Sequence, residues 1–98
     1  MLKQQAINEI KGYIDATRTV YSSWYVGITN DAEGRLFSEH GVDKANDQWI
    51  FRTCDSNSNA RAVEDYFLNQ LRTAGGPGGG DYSSTKVYAY KVSAHTRE

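Results

Sequence analysis

Apolar residues along the chain recur with two spacings, one helical and one alternating. Ile7, Ile10 and Ile14, with Ala6 and Tyr13 beside them, repeat at intervals of three and four and predict an amphipathic helix over about Lys3 to Asp15. Thr17 to Tyr21 is rich in β-branched residues and reads as a short strand or the approach to one. Trp24 to Ile28 predicts a strand; if both stretches are strands, Ser22 and Ser23 form the turn between them. Asn30-Asp31 supplies a helix start, Leu36 and Phe37 give the following helix, about Ala32 to His40, something to bury, and Gly41 ends it.

Trp49 to Thr53 predicts a second strand. The polar stretch Asp55 to Asn59 follows, and Asn57 or Ser58 caps a third helix, about Asn59 to Arg72, with Ala60, Val63, Phe67 and Leu71 as its core stripe. Gly75 to Gly80 is irregular, Val87 to Val92 closes the chain as a third strand, and Ser93 to Glu98 is a polar tail. Ninety-eight residues hold one core. The expected fold is α/β in the α+β sense, a small three-stranded, mostly antiparallel sheet flanked by helices, with one domain over residues 1–92 and a tail over 93–98.

Strand alternation sorts side chains by face. Trp24, Val26 and Ile28 share one side and Tyr25 and Gly27 the other; Ile50 shares a face with Arg52, and Tyr88 with Tyr90. A sheet face of tyrosines with an arginine reads either as a binding surface or as half-buried packing beneath a helix.

Charge narrows the partners. Eleven Lys and Arg stand against twelve Asp and Glu, a net charge of -1, so no global field draws the chain onto a polyanion and any nucleic-acid site must be a local patch. No run of apolar residues is long enough to span a membrane, and Met1 to Ile10 lacks the apolar core of a signal peptide. Cys54 is the only cysteine, so it forms no internal disulfide, and with His40 and His95 alone it makes no zinc set. The expected location is the cytoplasm.

Gly75-Gly-Pro-Gly-Gly-Gly80 lacks the Gly-Lys-(Ser/Thr) of a P-loop. It reads as a helix end and long turn, or as a place where the unshielded amides of Gly78 and Gly79, with Lys86 beyond and Arg52 on the sheet, meet a phosphate backbone.

Tyr25-Val26-Gly27 on a strand, Arg35 ten positions after that tyrosine on the next helix, and Glu64 on a later helix resemble the second half of the GIY-YIG nuclease pattern. The resemblance spans about Trp24 to Leu71 and the final strand. It implies a magnesium-dependent endonuclease acting on DNA or RNA: Arg35 holds the phosphate, Glu64 is the protein ligand of Mg²⁺, and Tyr25, or Tyr21 if it reaches, assists deprotonation of the attacking water. Helical spacing places Glu64 at or beside the buried stripe, where a carboxylate needs a compensating partner.

Two positions differ from the pattern. The family's first triplet, Gly-Ile-Tyr on a preceding strand, is absent, and Val20-Tyr21 is the nearest counterpart. Four residues after the arginine, where the family often has histidine or tyrosine, stands Glu39, with His40 one residue later; that slip turns His40 by about 100° on an α-helix. The alternative is a non-catalytic module on the same fold that binds nucleic acid or a protein. A homo-oligomer that completes its sheet or site from a second chain is a further expectation.

Overall fold

The computed structural model describes residues 1–76 and 82–98. Strands β1 (Trp24–Thr29), β2 (Trp49–Thr53) and β3 (Lys86–Lys91) form one sheet in the order β1-β3-β2, with both pairings antiparallel. The last strand in sequence is therefore the central one. Its Tyr88 faces Gly27 of β1 on one side and Phe51 of β2 on the other.

Helices α1 (Lys3–Thr17) and α2 (Asn57–Asp65) cover one face of this sheet. Ile7, Ile10 and Ile14 from α1 and Ala60 and Val63 from α2 pack on Trp24, Val26, Ile28, Val87 and Ala89, the alternate residues that the strand pattern assigns to one side. Each fully buried Ile or Val there contributes about 1.5–3 kcal/mol. A smaller cluster lies on the opposite face, where Leu36 and Val42 cover Tyr88 and Tyr90, with Tyr25, Phe37, Trp49 and Phe51 around them. The architecture is the α+β arrangement that the pattern predicts.

The element boundaries depart from expectation in instructive places. Thr17 to Tyr21 is not a strand: α1 runs on to Thr17, whose hydroxyl bonds back to the Ile14 carbonyl at 2.6 Å, and Arg18 ends the helix in the left-handed region at φ 59°. Tyr21–Ser23 is a 3₁₀ turn rather than part of a hairpin. Helix α2 is capped by Ser56, not Asn57 or Ser58; the Ser56 hydroxyl accepts the Asn59 N–H at 3.1 Å. It passes into a π turn at Tyr66–Gln70.

The helix expected over Ala32 to His40 is mostly a π turn, Gly34–Glu39. Asp31 starts it by accepting the Gly34 N–H on Oδ1 at 3.0 Å. At the other end Gly41, at φ +72°, lets the Val42 N–H reach the Leu36 carbonyl at 2.9 Å, a left-handed helix terminus.

Ser93 to Glu98 does not trail away as a polar tail. Thr96 is nearly buried, its Oγ1 accepts the Ser93 N–H at 3.0 Å, and the Arg97 N–H bonds to the His40 carbonyl at 2.7 Å. Among the described residues no helix is long and apolar enough to cross a membrane. Cys54 is buried, and burial pushes its thiol pKa up, away from the thiolate a nucleophile requires.

Candidate active site

The alternation that buries Trp24, Val26 and Ile28 turns Tyr25 to the opposite face, where Tyr88 and Tyr90 of β3 also point. Their rings gather around His40: Tyr25 lies 4.8 Å from its centroid, Tyr90 4.9 Å and Tyr88 5.5 Å. Gly27 gives this cluster its room. A Cβ at that position would stand 2.6 Å from the Tyr88 hydroxyl oxygen, so the glycine of Tyr-Val-Gly is the opening over which Tyr88 lies.

The π turn delivers two more groups. The His40 N–H bonds to the Arg35 carbonyl five residues back, at 2.9 Å, rather than to a carbonyl four back. A closed five-residue turn brings position 40 beneath position 35, which removes the rotation expected on an α-helix. Both side chains meet at Tyr88: Arg35 Nη2 donates to its hydroxyl at 3.5 Å, and His40 Nε2 lies 2.9 Å from it. Glu39, one residue before His40, accepts from Arg35 Nη1 at 3.0 Å.

Burial pushes the Tyr88 hydroxyl up to about 12, against the lowering effect of the Arg35 hydrogen bond; the charges of Tyr25 and Glu64 add to the upward push. The Tyr90 hydroxyl is likewise raised by burial. Glu64 stands on α2, the helix packed on the other face of the sheet, and its charge is the least of the causes that raise Tyr88. It is 1% exposed, and burial outweighs the pull of Arg61 to raise its carboxyl to about 7.

Among the described residues three buried side-chain polar atoms have no hydrogen-bond partner: Arg35 Nε, Glu64 Oε2 and Thr73 Oγ1. The first belongs to the residue that donates to Tyr88, and the second lies on α2. Beside Arg35 an open groove of about 360 Å³ is bordered by Thr29, Asn30, Asp31, Glu39 and Ser84. No cluster of three or more His, Cys, Asp or Glu is present among the described residues. A dedicated protein cage is therefore absent there, but a single unpartnered carboxylate suits Mg²⁺, which keeps most of its waters and shares phosphate oxygens.

The other sequence candidates separate. Tyr21 does not reach this site: its hydroxyl donates to Asp15 at the end of α1, and its ring packs on the opposite core. Arg52 points with Ile50 toward α1, where its Nε pairs with Glu9 Oε1 at 2.6 Å. Lys86 opens β3 opposite Thr29 and Thr53, two residues before Tyr88 and on its face. Gly78 and Gly79 lie outside the described residues.

Tyr88 is the residue that the motif reading leaves out. The pairing of Tyr88 with Tyr90 on one face was its sequence signal; its position over Gly27 follows from a strand register that the sequence does not state. Compared with protein-family models, with curated proteins and with solved structures, the chain matches none.

Proposed function

We propose that this protein is a metal-dependent phosphodiesterase of GIY-YIG-like type, an endonuclease acting on nucleic acid, with Tyr88, His40, Arg35 and Glu64 as its central groups and Tyr25 lining them. The observation that carries this reading is the pair of unpartnered buried atoms on Arg35 and Glu64. Arg35 Nε is a cationic donor without an acceptor, and Glu64 Oε2 is an acceptor without a donor. A phosphate on Arg35 and a divalent cation on Glu64 would satisfy the two.

The steps follow from the geometry. The Arg35–Glu39 pair is largely exposed, with side chains 33% and 59% accessible, so it contributes about 1 kcal/mol at most and yields readily to a phosphate. The phosphate then takes the guanidinium edge that Glu39 releases, and the cover over Tyr88 opens. A phenol with its pKa near 12 holds its proton at neutral pH. Tyr88 therefore accepts a proton from water only as it passes its own to His40 Nε2.

The water O–H breaks, a new O–H forms on Tyr88, and the hydroxide oxygen bonds to phosphorus as the bond to the leaving oxygen breaks. That oxygen takes a proton from solvent, and His40 later returns its proton to solvent. Magnesium held by Glu64 would supply positive charge to the oxygens that become more negative. Arg35 stabilises the same charge from the other side.

The test is cleavage of supercoiled plasmid and of single-stranded RNA with Mg²⁺ or EDTA. Magnesium-dependent cleavage is expected for the wild type, lowered at least ~10²-fold by Tyr88→Phe and by Glu64→Ala. A folded wild type that cleaves neither substrate overturns the proposal and leaves the non-catalytic binding module.

A further inference from the structure

His40 is 4% exposed, and both its ring nitrogens are engaged. Nε2 faces the Tyr88 hydroxyl at 2.9 Å. Nδ1 lies 2.6 Å from the backbone carbonyl oxygen of Arg97 and 3.0 Å from the Tyr90 hydroxyl. A carbonyl oxygen only accepts, so a bare Nδ1 would set two lone pairs against each other at that distance; Nδ1 must carry the proton. In the neutral ring Nε2 is then the bare nitrogen and accepts from Tyr88, whose oxygen in turn accepts from Arg35 Nη2.

The segment that supplies this carbonyl is held at several points. The Arg97 N–H returns to the His40 carbonyl at 2.7 Å, so residues 40 and 97 are bonded both through the backbone and through the ring. Arg97 Nη2 donates to the Ser38 carbonyl at 3.1 Å. Thr96 clips onto Ser93 through its hydroxyl, and His95 Nε2 meets Asp47 at 2.5 Å. Gly41 leaves space for the crossing: a Cβ there would stand 3.3 Å from the His95 carbonyl oxygen.

We infer that the segment Ser93–Arg97 is a positioning element: the Arg97 carbonyl fixes the His40 proton on Nδ1, leaving Nε2 free to take the Tyr88 proton. Its catalytic consequence rests on the phosphodiesterase reading; the tautomer itself does not. The carbonyl plays the part that a buried carboxylate plays behind the histidine of a hydrolase triad, where the wrong tautomer costs about 10⁴-fold in rate. It does so without adding a negative charge beside Tyr88.

The tautomer is read directly from the imidazole ¹⁵N shifts and long-range ¹H–¹⁵N couplings of the labelled full chain in mildly alkaline buffer, with the His40 signals assigned by their loss in His40→Gln. The wild type is expected to show a protonated Nδ1 and a bare Nε2. Arg97→Pro removes the N–H that bonds to the His40 carbonyl, and Thr96→Ala removes the clip; backbone amide dispersion reports the fold of each. Each is expected to mix the two tautomers and, on a cleaved substrate, to lower kcat about 10-fold or more with KM unchanged. A wild-type Nε2 that carries the proton, or folded variants that both keep the wild-type spectrum, would overturn the inference. Absence of wild-type cleavage alongside the expected spectrum would sink the phosphodiesterase reading instead and leave the tautomer assignment standing.

Discussion

Gly27 and Tyr88 show how a missing side chain can be as specific as a present one. Because a Cβ at position 27 would stand 2.6 Å from the Tyr88 oxygen, Gly27→Ala must displace the hydroxyl from Arg35 and His40. The expected cost is about 1–3 kcal/mol of stability from overpacking, with a fall in cleavage rate larger than that expected of Ala89→Gly on the neighbouring strand. Urea unfolding and a cleavage assay separate the two effects. Glu64 makes a second residue-scale prediction. Its carboxyl titrates near 7 in the fold and at the ordinary value of 4.5 when unfolded, so between those values the folded state keeps a proton that the unfolded state has lost. Stability conferred by that proton is present below 4.5 and is lost as pH rises through 7, by roughly 3 kcal/mol. In EDTA, Glu64→Gln should therefore be more stable than wild type at about pH 8 and lose that advantage toward about pH 4, measured by thermal or urea unfolding. Added Mg²⁺ should restore part of the wild-type deficit and leave the Gln variant unchanged.

At the scale of elements, the π turn over Gly34–Glu39 does what no choice of side chain could. A five-residue interval between Arg35 and His40 would put the two on different faces of an α-helix, whereas the i→i+5 bond closes them onto one. This makes spacing, rather than residue identity, the quantity to vary. Deleting Ser38 shortens the interval to four, an α-helical turn, and should keep the histidine under Arg35 with cleavage within about 10-fold of wild type. Inserting one alanine after Ser38 makes the interval six and should cost at least ~10²-fold. Equal loss in both variants, with both folded, would argue that the Arg35–His40 alignment does not matter.

The whole molecule draws the proposed site from distant parts of the chain: Tyr25 from β1, Arg35 and His40 from the π turn and Tyr88 from β3 meet, and Glu64 is contributed from α2. β3 lies between β1 and β2 and pairs with both, and β1 is bridged on its other side by Ala74, so the sheet and the site are completed by segments late in the chain. Charge at this scale is close to balanced, and Arg52 and Lys11 are tied to Glu9 and Asp15 on the helical side. On the face of Tyr88, among the described residues, Arg97 is tied to the Ser38 carbonyl and Lys44 to Glu33, and Arg35 and Lys86 are the two cations taken to meet phosphates. Binding of a short DNA duplex, followed by anisotropy across a salt series, should weaken with a log–log slope of about -2, the value for two phosphate contacts. A slope several units steeper would place the nucleic acid on a different and more basic surface.

What the sequence determined by itself was everything governed by local periodicity. The helical stripe of Ile7, Ile10 and Ile14, the alternation that turns Tyr25 away from Trp24 and Val26, the Asp31 helix start and the Gly41 stop depend on neighbours a few residues apart, and they appear in the structure as predicted. Glu64 was legible for the same reason, as a carboxylate on a buried stripe. The Thr17 to Tyr21 stretch misled because β-branched residues also serve at a helix end, where the Thr17 hydroxyl takes up a free carbonyl. What only the three-dimensional structure decided were contacts between residues far apart in the chain and the width of one local turn. Register set Tyr88 over Gly27, a backbone turn one residue wider than α brought His40 to Arg35, and a segment that reads as a polar tail put a carbonyl against the His40 ring. None of these leaves a signature in the periodicity of the sequence, because register and the docking of the last segment are fixed by hydrogen bonds and packing between distant segments, and the residue pattern does not distinguish a π turn from an α turn.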